Sequence, residues 1–418
     1  MGIVRKYVAA PLILRIAIGL AVGAALAFIC PGAKVIGLLG VVFVSTLKAI
    51  APLLVAVLVA SSVARASTGL GSRFRTVIAL YLATTLLAAF VSVCASFLFP
   101  VTLRLQNAAN LDAPDGLAAV FGNLLTSLVA NPVQAVAEAN YLGVLFWAVI
   151  IGLAMRRFLS KCALDAVSGF ADSVSKVVQW IIQFAPFGVL GLVFTAVSEN
   201  GMSIFRDYGR LLLLLVGCMT ATALLINPLI VAVMTKRNPY PLVLGCLKRS
   251  GINAFFTRSS AANIPVNMDL CARLGLNKEF YSVSIPLGAT INMSGAATTI
   301  TVMTLAVCNT LGVDVGFGAS LLLSIVATLA ACGTSGVAGG SLLLIPMACS
   351  LFGISADVAM QAVAVGFIIG VIQDSVETAL NSSSDVVFTA TAEIYDKRRH
   401  GAAADDDNSS ATADLRLQ

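Results

Sequence analysis

The sequence predicts an all-α polytopic membrane protein, on the strength of three observations. Of its 418 residues, 59% are hydrophobic and only 11% are charged, whereas soluble domains carry about 25% charged residues. The apolar residues form long runs such as 210–234, and about 20 apolar residues are enough to cross a bilayer as a helix. The segments of about 10 alternating residues that mark membrane β-barrels do not occur.

Ten apolar segments follow one another without an inserted soluble domain. Arg5 and Lys6 precede the first, which is too long for a signal peptide and is interpreted as an uncleaved helix. Asn131-Pro132 predicts a break in the fourth, and the polar tail 400–418 is expected to be disordered. The segments are 8–30, 36–63, 75–100, 117–155, 165–198, 210–234, 241–270, 279–308, 319–351 and 358–391.

The distribution of basic residues predicts the orientation. With Arg5 and Lys6 placed in the cytoplasm, loops on that side hold most of the Lys and Arg between the early segments, as the positive-inside rule requires. Both termini are therefore expected to be cytoplasmic. The basic residues on that side are Arg65, Arg73, Arg75, Arg156, Arg157, Lys161, Lys236 and Arg237, against Lys34, Arg104, Arg206 and Arg210 opposite.

Charge parity predicts a re-entrant hairpin in the seventh segment. The sixth segment ends beside Lys236 and the eighth begins beside Lys278, so both of these ends lie on the cytoplasmic side. The stretch between them, 241–270, must then enter and leave by the same face. Its middle, TRSSAANIP at 257–265, is polar and contains Pro265, which is typical of a hairpin tip.

A second hairpin is predicted from the opposite face. The loop 309–318 carries Asp314 and no Lys or Arg, while the C-terminal end carries Arg398. The segment 319–351 must therefore return to the outside, and its middle, GTSGVAGGS at 333–341, suits an unwound tip. Two hairpins of opposite orientation indicate an inverted repeat that surrounds a binding site. The alternative is that these Gly and Ser residues are only helix-packing motifs.

The last helix carries a polar face at membrane depth. Its polar residues recur every 3 or 4 positions and so share one side of a helix. Three carboxylates in one membrane helix are costly and normally face a cavity, a partner or an ion path. Solvation at the cytoplasmic edge is an alternative for the last of them only. The residues are Asp374, Glu377, Thr378, Asn381 and Asp385.

Two further polar stretches fit beside this face. GATINMSGAATTIT at 288–301 interrupts an apolar helix, and a break there frees backbone carbonyls, which are hard ligands suited to an alkali cation. Thr84 and Thr85 lie within the third segment. The only His, His400, lies in the tail, and the nine Cys form no CxxC pair. The single His in the tail and the unpaired Cys argue against an intramembrane enzyme or a bound transition metal. The basic residues lie in inter-helix loops, which argues against a nucleic-acid partner. The opposed hairpins indicate gates rather than a channel.

These motifs resemble the dicarboxylate/amino acid:cation symporter family, the glutamate-transporter homologues. The likeness covers most of the chain and rests on TRSSAANIP, GATINM, GTSGVAGG and the D-x-x-x-T-x-x-N-x-x-x-D pattern of the last helix. It implies eight transmembrane helices, two re-entrant hairpins, a homotrimer in the bacterial inner membrane and an elevator mechanism. It further implies scaffold helices in 1–70 and 117–234, and a transport domain in 75–100 and 241–391.

The same resemblance implies roles for individual residues. Asp374 would hold the substrate ammonium, and Asn381 would hold the carboxylate together with the backbone near Ser260. The full set expected to bind substrate is Ser259, Ser260, Val337, Asp374, Glu377, Thr378 and Asn381. One sodium site is expected from Gly288, Asn292, Asn381 and Asp385, and a second from Thr290, Ala331, Cys332 and Thr334.

Three departures from the family pattern bear on substrate and stoichiometry. Glu377 stands where members that carry acidic substrates have the Arg that grips the side-chain carboxylate, and Ala296 replaces an assisting Thr. Ser294 replaces the Asp of Asn-Met-Asp, which puts a third cation site in doubt. The expected function is therefore sodium-coupled symport of serine and threonine. The alternative is an acidic-substrate carrier that uses Arg258, although pairing of Arg258 with Glu377 is the preferred expectation.

Overall fold

The structure, a computed structural model, describes residues 10–65, 72–105, 129–332, 334 and 339–399. Every regular element in these residues is helical, which confirms the predicted all-α fold class. Val337, the tail 400–418 and the stretch 117–128 lie outside the described residues, so the expectations placed on them are unaffected.

The helices of the first half begin where capping residues favour them. The predicted break at Asn131-Pro132 is the start of a helix, because Asn131 Oδ1 accepts from the backbone N of Val133 (2.9 Å) and Gln134 (3.2 Å), and Pro132 occupies the first helical position. The helices are α1 (Leu12–Ile29), α2 (Gly37–Arg65), α3 (Ser72–Leu98), α4 (Pro132–Ala137), α5 (Tyr141–Phe158), α6 (Lys161–Gln183) and α7 (Ala185–Asn200).

The helices of the second half include two with π-turns, at Thr222–Ile226 and Leu247–Gly251. They are α8 (Ile204–Ala221), α9 (Asn227–Thr235), α10 (Tyr240–Cys246), α11 (Ile252–Thr257), α12 (Ser260–Arg273), α13 (Lys278–Ile291), α14 (Ser294–Leu311), α15 (Phe317–Ala331), α16 (Ile345–Ser350) and α17 (Ala356–Arg399).

Within the described residues, five helical stretches are long and apolar enough to cross a membrane. Large apolar side chains on the outer helices are exposed, such as Ile29 (78%) and Leu213 (74%), as expected for side chains that face lipid rather than water. The five stretches are Lys34–Arg65, Arg73–Leu98, Ala185–Thr235, Lys278–Leu311 and Ala356–Arg399.

Two helix–turn–helix units lie in the regions where the sequence predicts hairpins. Hairpin 1 (Tyr240–Arg273) turns at Arg258, whose φ of 51° is left-handed, and α12 begins two residues later. Hairpin 2 (Phe317–Ser350) descends through α15 and returns through α16. In each unit the two arms pack against one another. A path that enters and leaves the membrane by one face remains a prediction.

The helices pack as two groups. Helices α1, α2, α5, α6 and α7 contact one another, and a Cβ at Gly19 of α1 would lie 2.2 Å from the carbonyl oxygen of Pro186 in α7. The second group surrounds α17 and contains α3, α14 and both hairpins. Lys48 of α2 forms an ion pair with Asp357 at the start of α17 and so links the two groups.

Helices α8 and α9 lie within 117–234, which the sequence predicts to be mainly scaffold helices. In the structure α8 packs against α3, α14 and α17, and α9 packs against α17. By their contacts these two helices belong to the second group. An apolar run indicates that a helix lies within the membrane but does not show which helices it packs against.

Candidate functional site

The candidate site lies where α17 passes both hairpin tips. Arg258 Nε of hairpin 1 donates to Asp374 Oδ2 at 2.6 Å, and the backbone N of Gly339 in hairpin 2 donates to Asp374 Oδ1 at 3.0 Å. The side chains of Arg258 and Asp374 are 8% and 3% exposed. Both tips thus hold one buried carboxylate in the middle of α17.

The expected pairing of Arg258 with Glu377 is wrong. Glu377 lies one turn further along α17, and its Oε2 accepts from Thr299 Oγ1 (2.7 Å), Ser341 Oγ (2.8 Å) and Gln373 Nε2 (2.6 Å). Neutral donors therefore bind one oxygen of Glu377, and within the described residues Arg258 forms its ion pair with Asp374.

Two other predicted residues of α17 lie on the same face. Thr378 Oγ1 donates to the carbonyl of Asp374 at 2.7 Å. Asn381 Oδ1 accepts from the backbone N of Gly295 at 2.7 Å, and within the described part of the chain its Nδ2 contacts only the sulfur of Met293, at 3.5 Å. A thioether is a weak acceptor, so this amide retains capacity to donate to a carboxylate.

At the tip of hairpin 1 the two predicted serines start a helix. Ser259 Oγ accepts from the backbone N of Ala262 at 3.2 Å, and Ser260 is the first, buried residue of α12. The first N–H groups of a helix have no partner within it, so they suit an anionic group. Val337, the remaining predicted substrate residue, lies outside the described part of the chain.

The first predicted sodium set is brought together around the break between α13 and α14. Asn292 Nδ2 donates to Asp385 Oδ1 (2.9 Å), Ser384 Oγ (2.8 Å) and the carbonyl of Asn381 (3.2 Å). Gly288 is required nearby, since a Cβ there would lie 2.6 Å from Asp385 Oδ1. Among the described residues, Asn292 Oδ1 and Asp385 Oδ2 are buried and have no hydrogen-bond partner. Unpartnered hard oxygen atoms beside backbone carbonyls are suitable ligands for an alkali cation.

The second predicted sodium set is brought together only in part. Cys332 Sγ lies 3.5 Å from the carbonyl of Ile291, which places the end of α15 beside the end of α13 and Thr290. Thr290 Oγ1 itself donates to the carbonyl of Leu287 at 2.8 Å. The carbonyl of Ala331 accepts from Thr334 N (3.0 Å) and Oγ1 (2.9 Å).

Four residues that shape the site were not singled out from the sequence. Gln373, Thr299 and Ser341 surround Glu377, and the hydroxyl of Tyr81 lies 3.3 Å from the carbonyl of Asp385. The signal for Gln373 is its spacing of four residues before Glu377. Thr84 and Thr85, which the sequence placed beside the site, bond instead to Asn227 Oδ1 (2.9 Å) and the carbonyl of Tyr81 (2.7 Å).

Comparison with known proteins gives a consistent result. The model of the sodium:dicarboxylate symporter family matches residues 12–394. A serine/threonine transporter SstT of Bifidobacterium adolescentis is 57% identical over 395 residues, which covers 94% of this chain and 92% of that protein. Serine/threonine transporters SstT of Streptococcus agalactiae serotype III and Streptococcus thermophilus are 59% and 56% identical over 384 residues, with 91% and 95% coverage of the two chains in each case.

Proposed function

Because the chain belongs to the sodium:dicarboxylate symporter family, we propose that it carries serine and threonine across the membrane together with sodium. Family membership makes it an integral membrane transporter of a small molecule rather than an enzyme, and confirms the resemblance seen in its motifs. The names of its relatives as serine/threonine transporters support the choice of substrate.

One observation carries the choice of a neutral substrate. Glu377 is a buried carboxylate whose contacts, among the described residues, are neutral donors. A substrate carboxylate placed beside it would lose its water and meet a like charge. A serine or threonine hydroxyl can instead donate to it, and a hydrogen bond to a charged group contributes about 1.5–3 kcal/mol.

The proposed substrate pose uses the rest of the polar face. The ammonium binds Asp374 in place of the guanidinium of Arg258, which lies 2.6 Å from that carboxylate in this structure. The carboxylate accepts from Asn381 Nδ2 and from the start of α12 at Ser260. Thr378 lines the remaining side of the pocket, and the role expected for Val337 stays a prediction because this residue lies outside the described part of the chain.

Sodium is a co-substrate in this proposal. Asp385, Asn292, Asn381 and Gly288 form one site, supported by the two unpartnered oxygen atoms of Asn292 and Asp385. The second site requires Thr290 to turn towards the carbonyls of Ala331, Cys332 and Thr334. With Ser294 in place of an acid, we expect fewer coupled sodium ions than acidic-substrate members of the family use.

The proposed mechanism is an elevator. The α17 group, including α3, α8, α9 and both hairpins, slides as a unit past the group of α1, α2 and α5–α7. We propose eight transmembrane helices, two re-entrant hairpins arranged as inverted repeats, a homotrimer and an inner-membrane location with both termini in the cytoplasm. The separate packing of the two groups supports this division.

A second candidate function is transport of an acidic amino acid. It rests on Arg258, whose Nη1 is buried without a hydrogen-bond partner and has the charge to bind a carboxylate. Glu377, one turn along α17 from Asp374, disfavours this role, because an anionic side chain in the same pocket would meet a like charge.

Uptake into proteoliposomes tests the proposal. Labelled serine is supplied under an imposed inward sodium gradient, with a potassium gradient as control, and unlabelled amino acids are added as competitors. We expect serine, threonine and alanine to compete while aspartate and glutamate do not. Inhibition by aspartate at concentrations similar to serine would favour the acidic-substrate function.

A further inference from the structure

The carboxylate of Glu377 is hydrogen-bonded on one side only. Thr299, Ser341 and Gln373 all donate to the same oxygen, Oε2, at 2.7, 2.8 and 2.6 Å. The other oxygen, Oε1, accepts no hydrogen bond within the described residues and is not among the fully buried atoms that lack a partner. A carboxylate oxygen accepts about two hydrogen bonds, so Oε2 is saturated while Oε1 keeps its full capacity.

Two of the three donors, Gln373 and Thr299, are also hydrogen-bonded to each other. Gln373 Nε2 donates to Thr299 Oγ1 at 2.7 Å as well as to Glu377. A hydroxyl has a single proton, so Thr299 accepts from Gln373 and must direct its own proton to Glu377. Gln373 and Thr299 are both completely buried, which restricts their rotation and therefore that of the carboxylate.

Glu377 and Asp374 lie on the same face of α17. Residues three apart on a helix are neighbours, with Cβ atoms about 5–6 Å apart. In serine and threonine the ammonium and the hydroxyl are borne by adjacent carbons. One molecule can therefore contact both carboxylates, with its ammonium on Asp374 and its hydroxyl on Glu377.

We propose that Thr299 and Gln373 are positioning residues for substrate selection: they hold Glu377 Oε2 so that Oε1 faces the substrate hydroxyl, and Ser341 adds the same restraint from hairpin 2. This inference rests on the proposed transport of serine and threonine. Because Ser341 belongs to hairpin 2, the restraint on Glu377 is complete only when that hairpin is seated on α17.

A pair of nearly isosteric substitutions on α14 provides the test. Thr299→Val removes the hydroxyl that orients Glu377, whereas Thr298→Val removes a neighbouring buried hydroxyl that has no partner. Gln373→Met removes the second donor, and Thr299→Ser restores the hydroxyl. Each protein, including the unmutated chain, is reconstituted as the full chain in proteoliposomes. The concentrations of unlabelled serine and alanine that halve sodium-driven uptake of labelled serine are then compared.

We expect Thr299→Val and Gln373→Met to weaken serine by about tenfold relative to alanine, which lacks the hydroxyl. Thr298→Val and Thr299→Ser should keep the ratio of the unmutated protein. An unchanged serine affinity in Thr299→Val, or an equal loss for serine and alanine, would overturn the inference while the proposed function stands. Absence of sodium-driven serine uptake by the unmutated protein would overturn the proposed function, and this inference with it.

Discussion

The two hairpins are built alike but are attached to α17 in different ways. Hairpin 1 is joined to it by a network of buried polar side chains along its length. Asn263 Nδ2 donates to Ser382 Oγ at 2.8 Å, and Asn267 Nδ2 donates to the carbonyl of Ser382 at 2.9 Å. Ser250 and Asn253 complete the network through hydrogen bonds to Asn267 and Asn263.

Hairpin 2 touches the polar face of α17 chiefly at its tip. Within its described residues, the hydrogen bonds to α17 are those of Gly339 to Asp374 and Ser341 to Glu377. The hydroxyls of its first arm bond to their own helix instead, as Ser324 does to the carbonyl of Ser320 at 3.1 Å. Leu342 packs against Gly366, where a Cβ would lie 2.5 Å from Leu342 Cδ2.

This difference indicates which hairpin responds to ligand. Apart from Arg258 at its tip, the polar attachments of hairpin 1 to α17 within the described residues are made to Ser382 and not to Asp374 or Glu377. The polar attachments of hairpin 2 are made to the two carboxylates that the substrate would engage. We therefore expect the packing of hairpin 2 against α17 to depend on whether substrate occupies the site.

The largest effect is expected from a substitution of Asp385, which lies in α17 outside both hairpins. Asp385→Asn should reduce sodium-driven serine uptake by about 100-fold or more, since neutralising a buried cation ligand removes several kcal/mol of interaction. Uptake at a series of sodium concentrations measures it. Size-exclusion chromatography of the variant in detergent controls for folding, and an unchanged sodium dependence would contradict the sodium assignment of Asp385.

At the tip of hairpin 1, Arg258→Met should destabilise the substrate-free protein by about 3–5 kcal/mol, because it leaves Asp374 buried without a cation. Serine should then raise the melting temperature of this variant more than that of the unmutated protein, as its ammonium supplies the missing charge. Arg273→Met, which removes an exposed ion pair at 2.7 Å to Asp269, is the control. A smaller serine-induced shift in the variant would count against ammonium binding at Asp374.

The next largest effect is expected from comparing the stability changes of one substitution in each hairpin. Asn263→Leu should lower stability by about 2–3 kcal/mol, because it leaves buried partners unsatisfied. Ser324→Ala in hairpin 2 removes a hydroxyl bonded only to its own helix and should change stability by less than about 1 kcal/mol. Thermal unfolding in detergent, without ligand, measures both. Equal losses would show that the hairpins are attached to the same degree.

The smallest effect is expected in the alkylation rates of native cysteines, which report on the packing of the hairpins. Cys332 lies at the end of the first arm of hairpin 2 and is partly buried, whereas Cys271 in hairpin 1 is fully buried. Serine with sodium should slow alkylation of Cys332 several-fold, because ligand seats hairpin 2, and should leave Cys271 unreactive. Peptide mass spectrometry reads the two sites separately, with exposed Cys162 as the positive control. Faster alkylation of Cys332 in the presence of serine and sodium would contradict the expectation that ligand stabilises the packing of hairpin 2.

The polar face of α17 could be predicted because helical spacing alone places Asp374, Asn381 and Asp385 together. The turn of hairpin 1 at Arg258 could also be predicted, since charge parity and its polar tip indicate it without tertiary information, whereas most of the predicted tip of hairpin 2 lies outside the described residues. Gly288 and Asn292 followed from the motif, and the structure places both against Asp385.

The partners of individual side chains could not be predicted in the same way. Whether Arg258 meets Asp374 or Glu377 depends on the height of a hairpin tip to within one helical turn, about 5.4 Å, and on a left-handed residue that no local pattern requires. Thr299 is one of several hydroxyl residues in 288–301 and Ser341 follows a Gly-rich stretch, and nothing in the spacing shows which such hydroxyls bind a partner and which only pack. The packing partners of α8 could not be predicted because an apolar helix can be buried by either group.

The ion pair between Lys48 and Asp357 marks where the start of α17 meets α2 along the α2 axis in this structure. Lys48 lies eleven residues after Gly37, the start of α2, so the start of α17 lies about 16 Å along the α2 axis. That is about half of a hydrocarbon core of about 30 Å. A cavity of about 600 Å³ adjoins both residues, and the Asp357 side chain is 82% exposed. If water fills this cavity, the transmembrane voltage falls mainly across the remaining half of the bilayer, and the bound ions travel only a short electrical distance to reach the other side.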